Sequence, residues 1–410
     1  MKNRIKNISA REILDSRSNP TVEAKVELES GVTAIASVPS GASTGTYEAH
    51  ELRDGDRSRY GGKGVLCAVK NINELIRPAL LGFDAGDQAG IDRRMIALDG
   101  TNNKSRLGAN AILAVSLAVA RAAAEEDKTE LYRRLATKND LTMPTPMFNL
   151  LNGGAHAANN LDIQEFMIVP HGLPLPEAIR AGSEIFHTLG SLLKAKGLST
   201  GIGDEGGYAP NLDTDEEAIG LLCQAIINSG YNTDKIGIAL DVASSEWYEN
   251  GTYVLPKKGK EMTHRDLINY YGELCDRYPI VSIEDGLSED DFDGWQEMTI
   301  ALGNRIMLVG DDLFVTNKER LNKGIRLGVG NAILIKPNQI GSLTETIEVI
   351  ERARSSGYEY IISHRSGETT DTSIADIAVA LGAKYIKTGA PCRGERVAKY
   401  NRLLEINSFL

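Results

Sequence analysis

The chain has 410 residues, 42% hydrophobic and 25% charged, which excludes a disordered or fibrous protein. At an ordinary domain length of about 150 residues, two domains are expected. A formal net charge of −11 repels phosphate backbones, so general nucleic-acid binding is excluded, whereas a small anionic substrate held by local cations is not.

Four cysteines, Cys67, Cys223, Cys275 and Cys392, form no CxxC pair, which argues against zinc-ribbon and thioredoxin-type chemistry. They read as reduced thiols of a reducing compartment. The N-terminus, MKNRIKNISAREILDSR, lacks the apolar core of a signal peptide. The longest apolar stretch, Ala111 to Ala120, falls short of the ~20 residues of a membrane span. The expectation is a soluble, cytoplasmic protein without a membrane span.

From Thr21 to Glu29, Val22, Ala24, Val26 and Leu28 alternate with charged residues, the period of a strand with one wet face in an antiparallel sheet. Helices are expected over Val65–Leu81 and over Gly108–Glu126, the latter apolar nearly all round and hence buried between layers. The polar and proline-bearing stretch TKNDLTMPTPMF marks a boundary near residue 140, giving domains 1–137 and 138–410. Two short apolar runs follow, Met147–Leu151 and Phe166–Val169, joined by the glycine-rich NGGAHAANNLDIQE. Helices are expected at about 175–196 and 213–229. Strand and helix then alternate six times, with strands IGIALD, IVSIED, IMLVGDD, AILIKP, YIISHR and YIKTGAP. Two strands and six make the eight of a closed barrel, so the fold class is α/β, a smaller α+β domain before a barrel of TIM type.

The six strands end, in order, in Asp241, Glu284, Asp311, Lys336, His364 and Lys387. A buried strand should be apolar, and barrel enzymes place their chemistry where the C-terminal strand ends converge. Any one Asp could be a helix cap, but lysine cannot cap, so the set reads as functional. Asp241, Glu284 and Asp311 offer only oxygen, which suits Mg²⁺ or Mn²⁺. A lysine beside such cations loses its proton more readily, so Lys336 is a candidate base for removing a proton alpha to a carboxylate. A metal would hold the charge that builds in the enediolate.

With these residues in place, the stretches DSRSNPTVE, VPSGASTGTYEA, KSRLGANAILAVSLA, DIQEFMIVP, GDEGGYAPN, ALDVASSEWY, VSIEDGL, GDDLFVTN, LIKPNQIGSLTET, ISHRSGET and KTGAP resemble the enolase family, the phosphopyruvate hydratases, of bacterial type. The resemblance runs from residue 11 to 391 and implies a ββαα(βα)6 barrel behind an α+β domain. Enolase-superfamily sites are a known instance of a Lys or His base paired with one or two Mg²⁺. The resemblance implies that Lys336 takes the C2 proton of 2-phosphoglycerate and that Glu205 protonates the departing C3 hydroxyl. It implies a first Mg²⁺ on Asp241, Glu284 and Asp311, and a second bridging the phosphate and the Ser43 loop. Arg365 and Ser366 would hold the phosphate, Lys387 the carboxylate side, and His156, Gln164, Glu165 and His364 would line the pocket. It implies a homodimer, with octamers among bacterial relatives. Ser18, Ala158 and Gly394 depart from the commonest family residues but fall outside these assignments, and the chain is expected to stop earlier than most enolases.

Two motifs mislead. GASTG at 41–45 fits GxSxG, yet a polar run follows where a nucleophile elbow needs a helix. GIGDEG at 201–206 fits GxGxxG, but its Asp–Glu pair would repel a pyrophosphate. A racemase or lactonising enzyme of the same superfamily would carry a KxK pair or a His–Asp dyad on barrel strands, which is not found. Related enolases also take second jobs at the cell surface, where they capture plasminogen, or in RNA-processing assemblies. Surface capture commonly uses terminal lysines, whereas this chain ends Ser-Phe-Leu; retention of the complete catalytic set implies that any such role would be additional to catalysis.

Overall fold

Residues 3–41, 46–137 and 141–410 are described by a computed structural model. Strands β1 (Ile5–Leu14), β2 (Pro20–Leu28) and β3 (Thr33–Ser37) pair antiparallel in that order. Val22, Ala24, Val26 and Leu28 are buried and Lys25 is exposed, as the period of two requires. The expected helix over Val65–Leu81 is three pieces: α1 (Leu66–Asn71), a π-helical turn at Ile72–Ile76, and α2 (Arg77–Leu80). Pro78 has no N–H to continue an α-helical ladder, and the wider turn precedes it. After α3 (Gln88–Asp99) comes α4 (Ala109–Glu126), which packs on β2 and β3. Every α4 residue except Arg121, Glu125 and Glu126 is buried, as its all-round apolar sequence predicts. A short α5 (Leu131–Leu135) follows.

Next come β4 (Thr145–Asn152), β5 (Glu165–Pro170), α6 (Leu175–Ala195), α7 (Asp215–Asn228) and β6 (Ile236–Asp241). A small antiparallel sheet of β7 (Tyr248–Glu249), β8 (Thr252–Val254) and β9 (Glu261–Met262) is inserted before α8 (His264–Arg277). The alternation continues with β10 (Ile280–Glu284), α9 (Phe292–Leu302), β11 (Met307–Gly310), α10 (Lys318–Leu327) and β12 (Ala332–Ile335). It ends with α11 (Pro337–Ile340), α12 (Leu343–Ser355), β13 (Glu359–Ser363), α13 (Ser373–Ala380), β14 (Tyr385–Lys387) and α14 (Gly394–Asn407). Eight strands close a barrel in the order β10-β11-β12-β13-β14-β4-β5-β6. β5 runs antiparallel to both neighbours, because the β4–β5 connection is a hairpin rather than a crossover. Met147, Met167, Val169, Ala239, Val309, Ala332, Leu334 and Ile361 form a core cluster inside it.

The chain divides into two compact units. One comprises Met1–Thr142, Ile335–Glu351 and His364–Gly382; the other comprises Met143–Leu334, Arg352–Ser363 and Ala383–Leu410.

Candidate active site

In the second unit the strand directions bring charged ends to one rim. β6 and β10 are parallel and end on the paired residues Asp241 and Glu284, and β14 ends on Lys387. Because β5 runs the other way, it is its first residue, Glu165, that lies opposite Asp241. Lys387 Nζ lies 2.9 Å from Asp241 Oδ2, 2.9 Å from Glu284 Oε1 and 3.1 Å from Glu165 Oε2. All four side chains are buried. Burial alone would strip the proton from Lys387, but Asp241, Glu165 and Glu284 outweigh it and hold the ammonium well above the usual lysine range. Burial, and then repulsion from Glu205, pushes the Glu165 carboxyl well up; burial and then Asp241 do the same for Glu284.

Glu205 is buried in the turn of the GDEGG segment, which forms no helix. Its Oε2 accepts Asn149 Nδ2 at 3.1 Å, and its carbonyl accepts the N–H of Ala390 at 2.9 Å. His156 stands on a 3₁₀ turn, Gly154–His156, with Nδ1 3.4 Å from Glu165 Oε1. Gln164 Nε2 lies 3.5 Å from Asp241 Oδ2. Asp311 follows β11, and its N–H donates to Asp285 Oδ1 at 2.9 Å, while that of Asp312 donates to Asp285 Oδ2 at 2.7 Å. Asn149 and Asp285 are contacts that sequence reasoning missed. The signals were an amide inside the apolar run MFNLLN and a second acid next to Glu284.

The donor set fits a hard divalent cation. Glu165, Glu205, Asp241 and Glu284 interact around the Lys387 ammonium, Asp311 acts on Glu284, and all offer oxygen. Among the described residues, two groups bring ligand atoms within 4.8 Å of one another, His156–Glu165–Glu205 and Asp285–Asp311–Asp312. Of the three expected ligands, Asp241 and Glu284 here accept from Lys387, whereas Asp311 groups with Asp285 and Asp312.

The remaining candidates belong to the first unit. Lys336 directly follows β12, and Pro337 sets the first turn of α11 behind it. His364, Arg365 and Ser366 follow β13 and are buried. The Arg365 guanidinium forks onto Glu48, with Nη1 3.0 Å from Oε2 and Nη2 3.1 Å from Oε1, and Nη1 also reaches Asn338 Oδ1 at 3.2 Å. Glu48 and Asn338 were likewise missed, although both lie in stretches of the resemblance, TYEA and KPNQ. Ser40 and Gly367 exchange backbone hydrogen bonds of 2.7 and 2.9 Å, tying the start of the SGASTG segment to HRSG. Ser43 lies outside the described residues.

A closed α/β barrel with buried carboxylates and a lysine at its rim, preceded in the chain by a small α+β part, defines an enzyme of the enolase superfamily. Two family models match: the enolase N-terminal domain over residues 5–135 and the enolase C-terminal TIM barrel domain over residues 140–410. The chain belongs to the enolase family, lyases of glycolysis. Among the described residues no helix is long and apolar enough to cross a membrane.

Proposed function

We propose that the chain is a phosphopyruvate hydratase, catalysing the reversible Mg²⁺-dependent dehydration of 2-phosphoglycerate to phosphoenolpyruvate. The observation that supports this most is the Lys387 ammonium held among buried Glu165, Asp241 and Glu284. Buried carboxylate in excess of cation suits a site completed by a divalent ion. Asp241, Glu284 and Asp311 would hold one Mg²⁺, and Ser43 with the substrate phosphate a second. When bound, Mg²⁺ supplies positive charge where the substrate carboxylate gains negative charge.

Lys336, as the neutral amine, takes the C2 proton and becomes the ammonium. Glu205, as the acid, passes its proton to the C3 hydroxyl, which leaves as water. Asn149 fixes the direction of that carboxyl. Arg365 and Ser366 hold the phosphate, and Lys387 answers the substrate carboxylate. His156, Gln164, Glu165 and His364 line the pocket and exclude water. The same reading takes the protein as a cytoplasmic homodimer of bacterial type, with 1–137 as the smaller domain and 138–410 as the barrel. Cell-surface or RNA-processing partnerships would be additional roles.

The test is ultraviolet absorbance of the enol product from 2-phosphoglycerate. Absorbance should rise with Mg²⁺, stop on chelation and resume when Mg²⁺ is restored. A folded protein that gives no rise overturns the reading.

A further inference from the structure

One charged cluster of the second unit takes no part in the chemistry above. Asp162 and Asp215 are 1% and 2% exposed, and both face Lys258, whose side chain is 32% exposed. Lys258 Nζ lies 2.9 Å from Asp215 Oδ2 and 3.6 Å from Asp162 Oδ2. The other oxygens bind backbone: Asp162 Oδ1 accepts the N–H of Lys257 at 2.7 Å, and Asp215 Oδ1 accepts those of Asp162 and Ile163 at 3.0 and 3.2 Å. Three remote pieces of chain therefore meet on two carboxylates. Lys258 lies between β8 and β9, Asp215 opens α7, and Asp162 and Ile163 close the glycine-rich β4–β5 connection.

Two buried carboxylates so close need a cation between them. Burial, reinforced by Asp215, pushes the Asp162 carboxyl up, and Lys258 pulls it back. Burial opposes the Lys258 charge too, but Asp215 and Asp162 prevail and keep it an ammonium.

What the cluster holds is the approach to the site. Gly154 donates to the carbonyl of Leu161 at 3.0 Å and Gly153 to that of Gln164 at 2.9 Å, so the path of Leu161–Gln164 sets the turn bearing His156. The N–H of Gln164 donates to the carbonyl of Asp241 at 3.0 Å, and Glu165 follows at the start of β5.

We propose that Lys258 is a positioning residue: by bridging Asp162 and Asp215 it fixes Leu161–Gln164, so that His156, Gln164 and Glu165 meet the substrate in register. The effect on substrate rests on the hydratase reading, whereas the effect on the loop does not.

The test uses the full chain with Lys258→Met and Lys258→Arg. In Lys258→Met the amides of Asp162, Ile163 and Lys257 should exchange about tenfold faster, with β6 and β14 unchanged. The KM for 2-phosphoglycerate should rise about fivefold with kcat within about twofold, the mark of lost binding rather than lost chemistry. Lys258→Arg, which keeps the charge, should restore both. Unchanged exchange at these amides, or an unchanged KM, overturns the proposal. Should Lys258→Met not fold, Lys258→Gln is read by the same criteria. If the parent protein does not turn over 2-phosphoglycerate, the hydratase reading falls and the exchange measurement alone decides the bridge.

Discussion

Lys387 carries the charge balance at the barrel rim, with three buried carboxylates within 3.1 Å of its nitrogen. Removing one partner of a buried ion pair costs about 3–5 kcal/mol, because the charge left behind has lost its water. Lys387→Met should lose stability of that order in metal-free buffer and recover part of it when Mg²⁺ is added. Urea unfolding with and without Mg²⁺ measures this, and an undiminished midpoint would show that the carboxylates are not held by this lysine. The sequence revealed that Lys387 ends a barrel strand, since a charge after an apolar run is conspicuous. It could not reveal that Asp241 and Glu284 would accept from Lys387, because that depends on rotamers and on which strands are neighbours. Glu48 was harder still: it pairs with Arg365 across 317 positions, and a single acid in a loop carries no periodicity.

At the scale of elements, α3 and α12 are joined through an acid that burial disfavours. Asp92 accepts the N–H and hydroxyl of Thr344 at 2.9 and 2.6 Å and Gln88 Nε2 at 3.1 Å. Burial still outweighs these bonds and raises its carboxyl above the ordinary range. Folding therefore favours the neutral acid. Its contribution is fully present below the unfolded value of about 4 and is lost as pH rises through the higher folded value. Relative to Asp92→Asn, the wild type should lose stability as pH climbs from about 4, and a pH-independent difference between the two urea midpoints would contradict this. The β4–β5 connection gives a second test. A Cβ on Gly153 would meet the carbonyl of Ile163 and stand 2.5 Å from Leu161 Cβ. Gly153→Ala should therefore raise KM for 2-phosphoglycerate by about an order of magnitude, as a misplaced binding loop does; a wild-type KM would show that the loop tolerates the displacement. Apart from the pocket residues that the resemblance implied, the sequence marked this stretch only as glycine-rich. It did not show β5 reversed, because a fully buried strand reads the same in either direction.

For the whole molecule, eight strand ends and one packed interior put the site where it is. Leu334 is fully buried in the barrel's core cluster, and Leu334→Ala should cost about 2–5 kcal/mol in unfolding free energy, measured in urea. A loss below ~1 kcal/mol would mean that the interior collapses around the gap. The fold class was legible because six βα repeats and their polar ends recur at regular spacing. The distances on which the chemistry depends were not, since they follow from closure of the barrel. We propose that Lys336, after β12, takes the proton from C2, and exchange of that proton in deuterium oxide is the decisive measurement. The wild type with Mg²⁺ should wash deuterium into C2 of 2-phosphoglycerate, and Lys336→Ala should bind Mg²⁺ yet show no exchange. Exchange retained in Lys336→Ala would mean that another group is the base.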